Sequence, residues 1–332
     1  MVLETLPPAA TPRSHYARHA GALKCELKET IPADRLRGLH ELRAVRHFLV
    51  VGRQLLLLGL SAFAIVTWAH LAWVWIPAAL VLGFTVFNFT VLLHEVIHHA
   101  VFAKRRPFWE RVLGLAYAIP SGISASQFER WHLDHHAELG SWTGDPKRHH
   151  LSPKRNARWL KALYFTPALF WIYFRAAGRE TATYEPELQT RIARERAVTV
   201  LAQLGTLFTI GLLGGWALAV KLYVVPIFFV FPIAFALNRL GQHYDIDPDD
   251  PAHWSTLMRP SLFWDRAFLW SNYHLEHHYF PNVPMYRLAE LHRALRPLFD
   301  RHGMRPRTYR ELLWSWLVKN SRPHSDWTKV DS

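Results

Sequence analysis

Apolar residues run in four long stretches, about 51–70, 71–93, 197–220 and 222–237. Each approaches the roughly 20 residues that an α-helix needs to cross a bilayer. The first two stretches meet around Ala69 and His70 with no charge between them. The last two meet at Lys221, with Gly214 and Gly215 inside the third. Junctions this short predict two helical hairpins. Between them, residues 108–119 and 160–174 are apolar but broken by charge or proline, as in helices that lie at a membrane interface. Residues 179–196 are charged and predict a solvated helix. Arg53 sits near the end of the first run, where it can snorkel to the headgroups. The competing reading, buried helices of a soluble protein, would have to bury two paired runs of spanning length.

Composition supports the membrane reading. Half of the 332 residues are apolar, yet the mean hydropathy is only -0.02, an average over apolar runs and strongly basic segments. The formal charge of +13 is placed beside the runs, as at Lys104, Arg105 and Arg106. The hairpin tips are nearly bare of it. That distribution fits anionic headgroups and the positive-inside rule rather than nucleic acid, and it puts both termini and the central segment in the cytosol. The expected fold is an all-α polytopic membrane protein: two transmembrane hairpins with a cytosolic helical cap. Residues 1–47 read as a cytosolic, partly disordered arm without a signal peptide, 48–298 as the membrane domain, and 299–332 as a cytosolic tail. The single cysteine, Cys25, leaves nitrogen and oxygen as the donors for any metal.

Three histidine clusters carry the chemistry. His94, His98 and His99 lie at the end of the second run; His132, His135 and His136 follow the first interfacial segment; His274, His277 and His278 follow the fourth run. On a helix the i, i+3, i+4 spacing turns imidazoles to one face. Two hairpins bring all three clusters to one side of the membrane, where they can converge. Imidazole suits iron, zinc, copper and nickel. His94-Glu95-Val96-Ile97-His98 is also the HExxH signature of a zinc protease. One zinc ion, however, would leave most of the imidazoles unused, and two metal ions suit them better. Glu95, Asp134, Glu276 and Asp245 are placed to accept imidazole N–H groups. Trp131 and Tyr273 flank clusters as possible tunnel walls. The basic run of Lys147, Arg148, His149, His150, Lys154 and Arg155 offers contacts to a phosphate, a headgroup or an acidic donor. His15, His40, His70, His292 and His324 lack the spacing and read as structural or surface groups.

The segment Asn272-Tyr273-His274-Leu275-Glu276-His277-His278-Tyr279-Phe280-Pro281-Asn282-Val283-Pro284, with the other two clusters and the paired runs, resembles the membrane fatty acid desaturase family, acyl-lipid type. The resemblance covers about residues 48–298, and Asp145-Pro146 fits it. It implies a non-haem di-iron centre, O2 as co-substrate and an acyl substrate, lipid-linked or thioester-linked, held in a narrow channel. It further implies an additional ligand before the third cluster, for which His243 is placed, and a water-holding Asn, for which Asn238 stands one residue off the spacing of some relatives. The usual HxxxH pair matches His94 and His98, while a variant spacing would use His99. No HPGG-type haem segment is present, so the resemblance implies a separate electron donor, a ferredoxin or a cytochrome b5-like protein. A hydroxylase or ketolase of lipids, carotenoids or alkanes shares these clusters. A metal transporter is disfavoured, because its sites lie near the membrane midplane.

Overall fold

The computed structural model describes residues 14–141, 144–147, 152–153 and 155–322. Four helices are long and apolar enough to span a membrane: α4 (Ala44–Thr67), α5 (Ala72–Ile97), α10 (Pro186–Gly214) and α11 (Trp216–His243). They form the two expected hairpins, with shifted limits. The second hairpin turns at Gly215, not at Lys221, because Gly215 adopts φ 85°, which only glycine takes without strain. Lys221 lies inside α11, where its Nζ donates to the Ala69 carbonyl at 2.7 Å and ties the two hairpin tips together. The charged stretch expected as one solvated helix is divided. Its first part ends α9 (Ala168–Thr181), and the rest begins α10, whose N-terminal turns carry it into the span.

The arm is more ordered than its composition predicts. From Ser14 on it forms three short helices, α1 (His15–His19), α2 (Gly21–Thr30) and α3 (Ala33–Leu39). Leu23, Leu27, Ile31 and Leu39 are buried in the main core. Glu26 pairs with Arg301 and His302, which fixes α2 to the far end of the chain. Residues 1–13 lie outside the described part.

The cap is built on the non-membrane side of the hairpins from α6 (Pro107–Ala118), α7 (Ala125–Ala137), α8 (Arg158–Leu163), α9, α12 (Leu262–Ala267), α13 (His274–Tyr279), α14 (Leu288–Arg301) and α15 (Tyr309–Leu313). The only β-type pairing among the described residues is an isolated bridge between Met258 and Arg307. Helix α14 crosses the limit expected at 298. The following residues pack inward, with Tyr309, Leu312 and Trp316 buried, so the tail is part of the cap.

That tail is held by a buried cation. The Lys161 ammonium donates to the Trp316 carbonyl, Asn320 Oδ1 and the Ser321 carbonyl at 3.2, 2.9 and 2.8 Å, and it lies over the Trp316 ring. A buried acceptor stripped of its donor costs roughly 1–3 kcal/mol. Lys161→Met should therefore lower the melting temperature and speed amide exchange in residues 314–321, while the four spans keep their protection. Unchanged exchange there would contradict this account of the tail.

Candidate metal centre

Each histidine cluster is presented by a helix end. Helix α5 delivers His94 on its last turn, and His98 caps it. Ser124 caps α7 by accepting from the Gln127 N–H, and the helix carries His132, His135 and His136 on its last two turns. The short α13 is buried along its whole length and carries His274, His277 and His278. His243 closes α11. The helix ends converge, and their imidazoles sort into two groups. His94, His98, His132, His136 and His277 form one; His135, His243, His274 and His278 form the other. Within each group the candidate ligand atoms lie within 4.8 Å of one another.

Interatomic distances show what the groups suit. In the first, Nε2 of His132 is 2.9 Å from that of His98 and 2.8 Å from that of His136, which is 3.1 Å from that of His277. In the second, the His243 Nε2 is 3.0, 2.9 and 3.2 Å from those of His135, His274 and His278. A metal–nitrogen bond of roughly 2.1 Å puts adjacent ligands about 3 Å apart. The His136 and His278 rings, 4.4 Å apart, join the two groups side by side.

Tautomers sharpen the point. His135 Nδ1 lies 2.8 Å from the Asp145 carboxylate, and His243 Nδ1 lies 3.0 Å from the Trp254 carbonyl. Both partners only accept, so both Nδ1 atoms carry the proton and both Nε2 atoms present lone pairs, 3.0 Å apart. Two lone pairs facing at that distance repel unless a cation lies between them. Burial keeps the rings from solving this by protonation. It pushes His98 down to about 3 and His135 to about 4, against an Asp145 contribution that raises the latter. Burial, aided by neighbouring imidazoles and at His132 first by Lys147, also holds His132, His136, His274, His277 and His278 well below the ordinary histidine value. In the first group His94 Nε2 is buried without a hydrogen-bond partner. Neutral nitrogens with lone pairs aimed at a common point are a fit for a borderline metal such as iron. Cys25 is exposed and belongs to neither group.

Several expected residues take other roles. His99 is turned outward by a left-handed backbone, φ 54°, and its Nδ1 meets Glu110 at 3.1 Å, so it joins neither group. Glu95 accepts from the Met285 N–H, Asp134 binds Arg130, Asp245 pairs with Arg307, and Glu276 pairs with His292. Among the described residues none of the four accepts from a clustered imidazole, since their carboxylates are engaged by these other partners. Asn238 donates to Ser271 Oγ and accepts from Gln242, and it lines the cavity beside the first group. Asp145 and Trp254 are the acceptors that sequence reading overlooked. Asp145 had a signal in its Asp-Pro setting, whereas a backbone carbonyl has none. His292, expected as structural, is a buried partner of Glu276. His40 bonds the Leu36 carbonyl, and His70 is exposed at a hairpin tip. Trp131 lines the cavity, while Tyr273 is directed to Asp265 instead. Of the basic run, Lys147 Nζ reaches His132 Nδ1 at 2.7 Å and Arg155 is exposed. Arg148, His149, His150, Lys154 and His324 lie outside the described residues.

A cavity opens from the first group toward the spans, walled by Phe87, Val91, Trp131, Tyr173, Phe235 and Leu269. Arg239 lines both this cavity and a second one beside His135 and His243.

Known sequences agree with this geometry. The profile of the family described as fatty acid desaturase matches residues 71–310, well over half of the chain. The chain belongs to the fatty acid desaturase family. It is similar to the human sphingolipid delta(4)-desaturase/C4-monooxygenase DES2, 26% identical over 70% of this chain and 69% of the relative. It is also similar to the fruit-fly (Drosophila melanogaster) sphingolipid delta(4)-desaturase DES1, 26% identical over 76% and 75%. A chloroplastic omega-3 fatty acid desaturase of soybean (Glycine max) is 27% identical over 53% of this chain and 44% of its own. The chain is thus a membrane oxidoreductase, a fatty acyl desaturase. The protease reading of HExxH falls with this membership. In the desaturase, His94 and His98 share one group with three imidazoles from the other clusters.

Proposed function

We propose that the desaturase holds two iron ions, one in each histidine group, with His98 rather than His99 as the ligand, and that it acts on a lipid-linked acyl chain with O2 as co-substrate. The observation that carries this is the pair of facing Nε2 lone pairs of His135 and His243, which only a cation reconciles. When bound, the irons would supply O2 activation and the removal of two hydrogens from adjacent methylene carbons.

This chain's residues do the rest. Asp145 and the Trp254 carbonyl fix two imidazoles in orientation and tautomer. The aromatic and aliphatic wall from Phe87 to Leu269 excludes water and holds an alkyl chain extended beside His94, His132, His274 and His277. A site that must position one methylene pair gains most of its rate from such orientation. Arg239, Gln242 and Ser271 face the same space and are placed for the polar end of the substrate. Two relatives act on sphingolipids by name, which makes a sphingoid or ceramide-like lipid the first substrate to try. The basic flanks favour a topology with the metal groups and both termini on the cytosolic side, where a separate ferredoxin or cytochrome b5-like donor would deliver electrons.

A second reading has its own support, since the name of the human relative joins a desaturase to a C4-monooxygenase. Expression in a host lacking the product, followed by lipid mass analysis, separates the two. Lipids lighter by two hydrogens support desaturation, and lipids heavier by one oxygen give hydroxylation. A lipid profile unchanged in the presence of a competent electron donor would contradict both.

A further inference from the structure

The carbonyl that orients His243 belongs to Trp254, and Trp254 is held from outside the stretch that the family profile matches. Its loop is bonded to itself and to the end of α11. The indole Nε1 donates to the Pro248 carbonyl at 2.9 Å, and Ser255 Oγ and the Thr256 N–H both donate to the Gln242 carbonyl at 2.7 Å. The ring is only 3% exposed. Gly140 lies so close beneath it that a Cβ there would come within 2.3 Å of Cε2, so the loop has no room to settle inward.

Around the same ring stand three side chains of the N-terminal arm. The His15, Tyr16 and His19 ring centroids are 5.4, 6.0 and 6.4 Å from that of Trp254. The three are themselves organised: His15 and His19 stack at 4.1 Å, His19 Nδ1 bonds the His15 carbonyl, and Lys24 sits over the Tyr16 ring. The His15 N–H also reaches Glu138 Oε1 at 3.4 Å, and Glu138 caps the helix that carries His135. One short helix therefore touches the supports of two ligands of the same group, His135 and His243.

We infer that α1 is a brace for the second metal group: it presses Trp254 into place so that the carbonyl of that residue keeps His243 aimed inward. This rests on the reading of His243 as a ligand. Residues His15, Tyr16 and His19 are positioning residues and touch no reacting atom. The partners that orient a metal-bound imidazole typically govern metal affinity by about 10–100-fold, so loosening the Trp254 carbonyl should show first as metal loss.

The test compares full-length His15→Ala/Tyr16→Ala/His19→Ala with His243→Ala and the parent. Iron per chain is read after growth in limiting iron, together with the rate of iron release to a chelator and thermal melting. The brace predicts a fall from about two irons to about one in the triple variant, a release at least about tenfold faster, and a retained cooperative melt. Rescue should follow from His15→Phe/His19→Phe, which keeps flat rings against the indole without imidazole chemistry. If the triple variant keeps two irons while His243→Ala loses one, the brace is overturned and the ligand reading stands. If His243→Ala keeps two irons, the ligand reading fails and the brace with it. Should the triple variant lose its cooperative melt, Tyr16→Ala alone decides on the same iron count.

Discussion

His274→Ala should abolish turnover, lowering it at least about a thousandfold (~4 kcal/mol of transition-state stabilisation), and should remove about one iron per chain. His274 belongs to the smaller group, and its Nε2 is 2.9 Å from that of His243 and 3.0 Å from that of His278. With four imidazoles in that group, the loss of one leaves three and opens the position to water. The fold should survive, because α13 is packed through Leu275, Tyr279 and the Glu276–His292 pair as well as through its ligands. His99→Ala is the internal control. That ring faces Glu110, outside both groups, so the variant should keep its full iron content. An iron-depleted His99→Ala protein, or an active His274→Ala one, would show that the ligands have been wrongly assigned.

The second large effect is expected from Asp145→Asn. The carboxylate accepts from His135 Nδ1 at 2.8 Å and from the Lys147 N–H at 3.0 Å. It is 4% exposed, so its charge acts in a poorly screened place. An amide can still accept from Nδ1, but it carries no charge and offers its NH2 as readily, which weakens both the orientation and the basicity of the ring. Outer partners of this kind are worth about 10–100-fold in metal affinity or activity. Asp145→Asn should lose iron to a chelator faster than the parent by that factor, and Asp145→Ala faster again. Equal release rates in all three proteins would remove Asp145 from the account.

Much of this was legible in the chain because the signals are periodic. Runs of spanning length and i, i+3, i+4 histidines declare themselves in one dimension, and short junctions put the clusters on one side. The failures share a physical cause. Whether His98 or His99 joins the group depends on a single backbone turn at the end of α5, where His99 takes φ 54° and leaves the helical face. Carboxylates adjacent to ligands in sequence, such as Glu95 and Asp134, stand about 100° round the helix from them and meet the Met285 N–H and Arg130 instead. The acceptors that matter, Asp145 and the Trp254 carbonyl, come from loops whose path no periodicity describes. The hairpin tip moved from Lys221 to Gly215 because hydropathy averages over a turn that one positive φ completes. The arm read as disordered since its few apolar residues, Leu23, Leu27, Ile31 and Leu39, find their partners only in the folded cap.

The central claim is that nine converging imidazoles hold two irons. Elemental analysis of the purified full-length protein tests it most directly. About two irons per chain, with zinc near background, is the predicted result. One zinc per chain with no iron would contradict it.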